Sequence, residues 1–165
     1  MNSVALRDAL IGTWTLVSYV ETPVDGSSQR FPLGEKPEGL LVYAPDGYMS
    51  AQLMRPGRRE FSSADMFKGT LEEYADEAIG YLAYSGPFCV DELTSTLTHS
   101  MTVSLFPGWL GQTQPRVAKL DGSRLELSTA APTLSGGVEV MAHLRWERAT
   151  PNGVGSTKES RRSLS

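Results

Sequence analysis

Two tryptophan-bearing segments at opposite ends of the chain constrain its fold more than any other feature: Ile11-Gly12-Thr13-Trp14-Thr15-Leu16 and Leu144-Arg145-Trp146-Glu147-Arg148. Both stand in stretches that alternate with period two, the mark of strands with one buried face. If the first and last strands pair, the sheet closes on itself. The early indole then plugs one end, and an arginine of the last strand lies over its face through a cation–π contact. Alternation places Arg145 beside His143 on the face opposite Trp146, so either Arg145 crosses the barrel end or Arg148 takes its place. A barrel plugged at one end and open at the other is a cup for a small, largely apolar molecule.

The rest of the chain supplies the staves. Trp14, Leu16, Ser18 and Val20 share one face of the first strand, with Thr13, Thr15, Val17 and Tyr19 on the other. A short extended piece around Arg30 to Leu33 follows the Asp25-Gly26 turn. Residues 39–44 and 48–54 form a hairpin through Pro45-Asp46-Gly47. Further strands are predicted over 81–90, 93–106, 113–120, 124–129 and 138–148, with Asp121-Gly122 as a tight turn. The reading is all-β, a single antiparallel barrel of about eight to nine strands. Pro115 marks an edge or a bulge, because it has no N–H to give a ladder. One helix interrupts the pattern at about 70–80. Thr70-Leu71-Glu72-Glu73 has the form of a capping box, and Leu71, Tyr74, Ala75, Ala78 and Ile79 make one apolar stripe ended by Gly80. That stripe packs on the barrel exterior or covers the mouth as a lid. The barrel domain is read as residues 1–149, followed by a disordered tail over 150–165, where apolar residues are too few to drive packing.

Composition narrows the partners. Fifteen Lys plus Arg against nineteen Asp plus Glu, scattered along 165 residues, make no basic stripe for nucleic acid or an anionic membrane. The one cysteine, Cys89, excludes an internal disulfide, and the first ten residues lack the apolar run of a signal peptide. A cytoplasmic protein is expected, with a homodimer left open. The chain has no Gly-x-Ser-x-Gly elbow, no Gly-x-Gly-x-x-Gly and no His-Glu-x-x-His. Two histidines and one cysteine give no metal-ligand spacing, so neither a metal nor an organic cofactor is expected.

The residues that can meet a ligand follow from the strand faces. In 93–106, Leu93, Ser95, Leu97, His99, Met101, Val103 and Leu105 share a side, which places the His99 imidazole inward. Burial holds such a ring neutral, able to take a proton or accept a hydrogen bond. It is either a core histidine satisfied by a neighbour or a pocket histidine that binds ligand or moves a proton. His143 falls on the opposite, outward face. Tyr84 stands with Leu82, Phe88 and Val90, and Arg116 follows the loop Pro107-Gly108-Trp109-Leu110-Gly111, whose tryptophan is read as exposed. Ser18, Tyr43, Gln52, Met101 and Gln114 complete the candidate ligand-binding set. Tyrosines among them suit an oxygenated ring compound.

The chain also resembles the bacterial and fungal lipocalin-like domain family. The resemblance rests on residues 10–19, on 37–43 with 47–51, on Ala83-Tyr84-Ser85-Gly86-Pro87-Phe88, on His99-Ser100-Met101 and on 104–112. It continues through Arg116, Leu120-Asp121-Gly122, Leu125-Glu126-Leu127 and 144–148, and so covers about residues 10–149. It implies a barrel with a central cavity, and some barrels of this kind serve natural-product pathways as cyclases, isomerases or dehydratases. Two functions are therefore carried forward. One is a cofactor-independent enzyme on a hydrophobic oxygenated metabolite, with His99 as general acid/base and Tyr84 and Arg116 polarising a carbonyl or enolate. The other is a non-catalytic carrier or sensor using the same cavity. A third, an interaction module using the Trp109 loop, would require an interior packed solid with side chains.

Overall fold

The computed structural model describes residues 5–153. Most of the tail expected to be disordered therefore lies outside the described residues. Ten strands follow a short helix α1 (Leu6–Leu10): β1 (Gly12–Pro23), β2 (Glu38–Tyr43), β3 (Tyr48–Met54), β4 (Tyr81–Asp91), β5 (Thr96–Ser100), β6 (Val103–Ser104), β7 (Thr113–Asp121), β8 (Arg124–Thr129), β9 (Thr133–Ser135) and β10 (Val138–Arg148). The inserted helix α2 spans Leu71–Ile79, between β3 and β4. Eight strands run β1-β2-β3-β4-β5-β7-β8-β10 and close through a β10–β1 pairing, all antiparallel. The short β6 and β9 attach to β4 and β10. Closure satisfies the edge groups that an open sheet would leave exposed.

One end is sealed as the sequence requires. Trp14 is fully buried opposite Arg148, whose guanidinium lies 4.1 Å from the indole centroid. Arg148, and not Arg145, makes the contact because β10 buries Val140, Ala142 and Trp146, and Arg148 continues that parity while Arg145 points out. The same guanidinium donates to the carbonyls of Ile11 and Ala9, and the indole Nε1 donates to the Leu10 carbonyl at 2.9 Å. Helix α1, for which the sequence pattern gave no sign, caps this end with the fully buried Leu10. The Glu92 carboxylate accepts from its first two N–H groups at 2.7 and 2.8 Å. Gly12 is required here: its φ is +124°, and a Cβ would stand 2.9 Å from an Arg148 nitrogen.

Two departures from simple alternation decide what faces inward. In β1, Leu16 pairs with Trp146 but Ser18 pairs with Arg145, so Val17 is an extra, bulged residue. A one-residue slip moves every later side chain to the other face. Trp14 and Leu16 point in before the bulge; Tyr19, Glu21 and Pro23 do so after it. Ser18 and Val20, expected inside, are therefore off the inner face. The second departure splits the predicted strand 93–106. Residues 92–95 form a turn in which Leu93 is almost wholly exposed, and β5 ends at Ser100. The chain then bends so that β6 pairs with a different part of β4. Inward alternation thus holds for Leu97, His99 and Met101, while Val103 and Leu105 turn out to solvent. Gly86 permits the bend, since a Cβ there would collide with the Ser100 carbonyl oxygen.

Two local readings hold. Pro115 pairs with Thr98 on the β5 side, while the β7–β8 ladder begins only at Arg116, so the proline stands at a local edge. The capping box is complete: Thr70 Oγ1 accepts from the Glu73 N–H at 3.2 Å, and the Glu73 carboxylate accepts from the Thr70 N–H at 2.8 Å. A further bond from the Ser62 N–H at 2.7 Å ties the preceding loop to the helix. These backbone donors hold the Glu73 carboxyl below its usual range. The apolar stripe of α2, however, does not pack as expected, because Leu71 and Ile79 are 84% and 67% exposed. The helix is held by its caps and by Tyr74, which meets Phe61 edge-on, and only Ile79 reaches the cavity rim.

Candidate functional site

The end of the barrel away from Trp14 opens into a cavity of about 530 Å³. This is the size range of small-molecule sites, and it removes the reading in which the interior is packed solid. Its wall is mostly apolar, with Leu33, Leu53, Leu82, Ala142 and Leu144 inside and Ile79 and Leu134 at the rim. Polar side chains, among them groups from three strands, interrupt that wall. Tyr19 and Glu21 come from β1 beyond the bulge, Tyr84 comes from β4, and Gln114 and Arg116 come from β7.

Arg116 is half-buried and has no carboxylate within ion-pairing distance among the described residues. One guanidinium nitrogen donates to Gln114 Oε1 at 2.7 Å, and the other terminal nitrogen donates to the Pro115 carbonyl at 3.0 Å. Gln114 donates in turn to Gln112 Oε1 at 3.2 Å, at the mouth. Glutamine orients the guanidinium without neutralising it. The donors left over from its fork suit an oxygen acceptor. Across β1, the Tyr19 hydroxyl donates to Glu21 Oε1 at 2.9 Å. Burial and the adjacent carboxylate raise the Tyr19 phenol far above its ordinary range, so it remains a donor.

Beneath the cavity an aromatic column runs into the sealed core. Trp109 meets Tyr84 edge-on at 5.9 Å, Tyr84 stands 5.9 Å from His99, His99 stands 5.7 Å from Tyr43, and Tyr43 packs on Phe88 at 4.7 Å. His99 Nε2 and the Tyr43 hydroxyl share a hydrogen bond of 2.8 Å, while Nδ1 has no partner in the protein. Burial, aided by the charge of Arg116, lowers the imidazole from 6.5 to about 3, so the ring is neutral at physiological pH. Burial likewise drives the Tyr43 phenol upward.

The expected site residues thus separate into three groups. Tyr84, Arg116 and Gln114 line the cavity together. His99, Tyr43 and Met101 face inward as read, but they are buried in the core and do not line the cavity. Ser18 and Gln52 lie off the inner face, Ser18 because of the bulge. Gln52 is exposed between the buried Ala51 and Leu53, and it accepts from the Tyr81 hydroxyl in a groove on the outside of the barrel. His143 is on the outer face as expected, bonded to Ser128 at 3.0 Å.

Sequence reasoning missed Trp109, Tyr19 and Glu21. Trp109 was read as exposed, but the 3-10 turn Pro107–Trp109 swings its indole over Tyr84, with Phe106 edge-on at 5.6 Å. Its only signal was a proline at the start of a helical turn. Tyr19 and Glu21 could have been found only by locating the bulge. Among the described residues there is no cluster of histidine, cysteine, aspartate or glutamate able to hold a metal ion, and no helix long and apolar enough to cross a membrane.

Comparison with known proteins agrees with this geometry. The 4'-hydroxy-3'-methoxypropiophenone carrier protein of Aspergillus oryzae is 41% identical over 106 residues, which cover 61% of this chain and 96% of that protein. A model of the lipocalin-like domain matches residues 11–149, the span that runs from the tryptophan plug through the last stave. With its closed barrel, its arginine-covered indole and its cavity at the opposite end, this chain belongs to the lipocalin-like domain family.

Proposed function

We propose that the protein is a non-catalytic carrier of a hydrophobic, oxygen-bearing aromatic molecule, held in the cavity above Tyr84. The observation that carries this reading is the division between the cavity and His99. The cavity offers shape, an aromatic floor and the donors of Arg116 and Tyr84, whereas the imidazole suited to proton transfer stands behind Tyr84 in the core. Such a wall fixes orientation, and the imidazole expected to move a proton is not among the groups that line it. The Aspergillus relative, which its name describes as a carrier of an aryl ketone, supports the same reading and a place in the bacterial and fungal branch of the family. An isomerase, cyclase or dehydratase working through His99 is the weaker alternative for that reason. Cys89, exposed and unpaired, accords with a reducing, cytoplasmic compartment.

In the bound state the flat body of the ligand lies against Tyr84 and Trp109, and a carbonyl oxygen accepts from Arg116. Calorimetric titration with 4'-hydroxy-3'-methoxypropiophenone, the compound in the relative's name, tests this directly. The expected result is saturable binding at one site per barrel, with the compound recovered chemically unchanged. No binding, or recovery of a converted product, would overturn it.

A further inference from the structure

Glu21 is the least expected group in the cavity wall. Its side chain is 2% exposed, and its two carboxylate oxygens are treated unequally. Oε1 accepts from the Tyr19 hydroxyl at 2.9 Å. Oε2 has no hydrogen-bond partner in the protein. The nearest cation, Arg30, holds its Nε 3.8 Å away, beyond hydrogen-bond distance, and one of its terminal nitrogens is engaged by the Ser135 carbonyl at 2.9 Å. Arg30 therefore balances charge without giving Oε2 a donor. A buried carboxylate oxygen without a donor is costly, and a mostly apolar wall supplies none. The strand itself does not force Glu21 inward by accident of pattern. The bulge at Val17 places it there, next to a tyrosine that orients it.

We propose that Glu21 is a specificity-determining residue of the cavity, selecting ligands that present a hydroxyl hydrogen to its carboxylate over otherwise identical ligands in which that hydroxyl is alkylated. This rests on the carrier reading and specifies the ligand class: a flat apolar body with a free phenol or alcohol. The terminal torsion of a glutamate is broad, so turning Oε2 toward an occupant costs little. A ligand hydroxyl then donates to the open oxygen, as Tyr19 does to the other. An ether at the same place brings a lone pair against a carboxylate and leaves Oε2 without a donor. Carboxylic acids are disfavoured there as well, since they ionise and meet a like charge.

The decisive experiment uses 1-naphthol and 1-methoxynaphthalene as calorimetric probes of the full-length protein, which differ in the one hydrogen at issue. The wild-type chain is expected to favour the naphthol by about tenfold to a hundredfold, the range for leaving a buried acceptor unpaired. In Glu21→Gln, whose amide can donate to an ether oxygen, that preference is expected to collapse to within a few-fold. Equal binding of the two probes by the wild-type chain would overturn the role of Glu21 and leave the carrier reading standing, as would a preference unchanged in the variant. Failure of both probes to bind the folded wild-type chain would overturn the two together. The comparison of the two probes on wild-type protein needs no substitution, so a variant that fails to fold does not remove the test.

Discussion

The two ends of this barrel solve opposite problems with the same residue types. At the sealed end an indole, an arginine and a helix meet with their polar groups engaged, the buried Trp146 Nε1 alone of the two indole nitrogens there lacking a partner: Arg148 covers Trp14 and donates to two carbonyls, and Trp14 donates to a third. At the open end, an arginine, two tyrosines, a glutamate and a tryptophan stand around a cavity with capacity left over. Arg116 has a glutamine for a neighbour instead of a carboxylate, and Glu21 keeps an unpaired oxygen. Satisfaction at one end makes a lid that stays shut. Incomplete satisfaction at the other is what a binding site needs, because buried polar groups without partners favour a ligand that supplies them.

The contrast can be broken first at the plug. Trp14→Ala empties a fully buried site and is expected to cost about 3–5 kcal/mol, read as a lower midpoint in urea unfolding. The largest loss of stability should come from this end, and a loss below about 1 kcal/mol would mean that the plug is not what holds the barrel closed.

His99 lies between the two ends, and its effect depends on pH. Its folded pKa, about 3, is depressed below the ordinary 6.5, so the unfolded chain takes up the proton first. The stability associated with the neutral ring is fully present above about pH 6.5 and is lost as pH falls toward about 3. Melting temperatures of wild type and His99→Gln, compared across that window, should converge as the pH drops. Parallel curves would mean that the imidazole titrates normally.

Substitutions at the open end should move affinity and spare stability. Arg116→Met keeps the length of the side chain and removes its donors, and it is expected to weaken binding of an aryl ketone about tenfold with little change in unfolding midpoint. Equal affinity would detach Arg116 from recognition. The smallest effect belongs to Gln52→Ala on the outer face, expected to shift affinity and stability by no more than about 0.5 kcal/mol. A larger loss of affinity there would place the ligand in the outer groove instead of the cavity.

Much of the architecture was legible in the sequence, because local chemistry dictates it. Pro45-Asp46-Gly47 forms its hairpin, Thr70 and Glu73 form their reciprocal cap, and residues 124–129 and 138–148 are strands to the residue. The inward position of His99 also followed from alternation over a regular stretch. What could not be read was where alternation slips. Nothing in Leu16-Val17-Ser18 marks Val17 as the extra residue, since the bulge is imposed by how β1 must match β10 while bending around the barrel. That one slip explains why Ser18 was expected in the cavity and Tyr19 and Glu21 were not. In the same way the pattern over 93–106 looks continuous, yet residues 92–95 form a turn and the chain bends again after Ser100, whose carbonyl lies close against Gly86. The depth of a residue was also hidden: alternation tells in from out, but not whether an inward side chain reaches the cavity, as Arg116 does, or stays beneath it, as His99 does.

The placement of the three tryptophans gives the molecule two separable optical signals. Trp14 and Trp146 are locked in the dry end, at 0% and 2% exposure, and their emission can change only when the barrel itself opens. Trp109 stands over Tyr84 at the rim of the cavity. An occupant that quenches it alone reports filling, and a shift of all three reports unfolding, so one emission spectrum of the unlabelled protein distinguishes a barrel that has taken its cargo from one that has come apart.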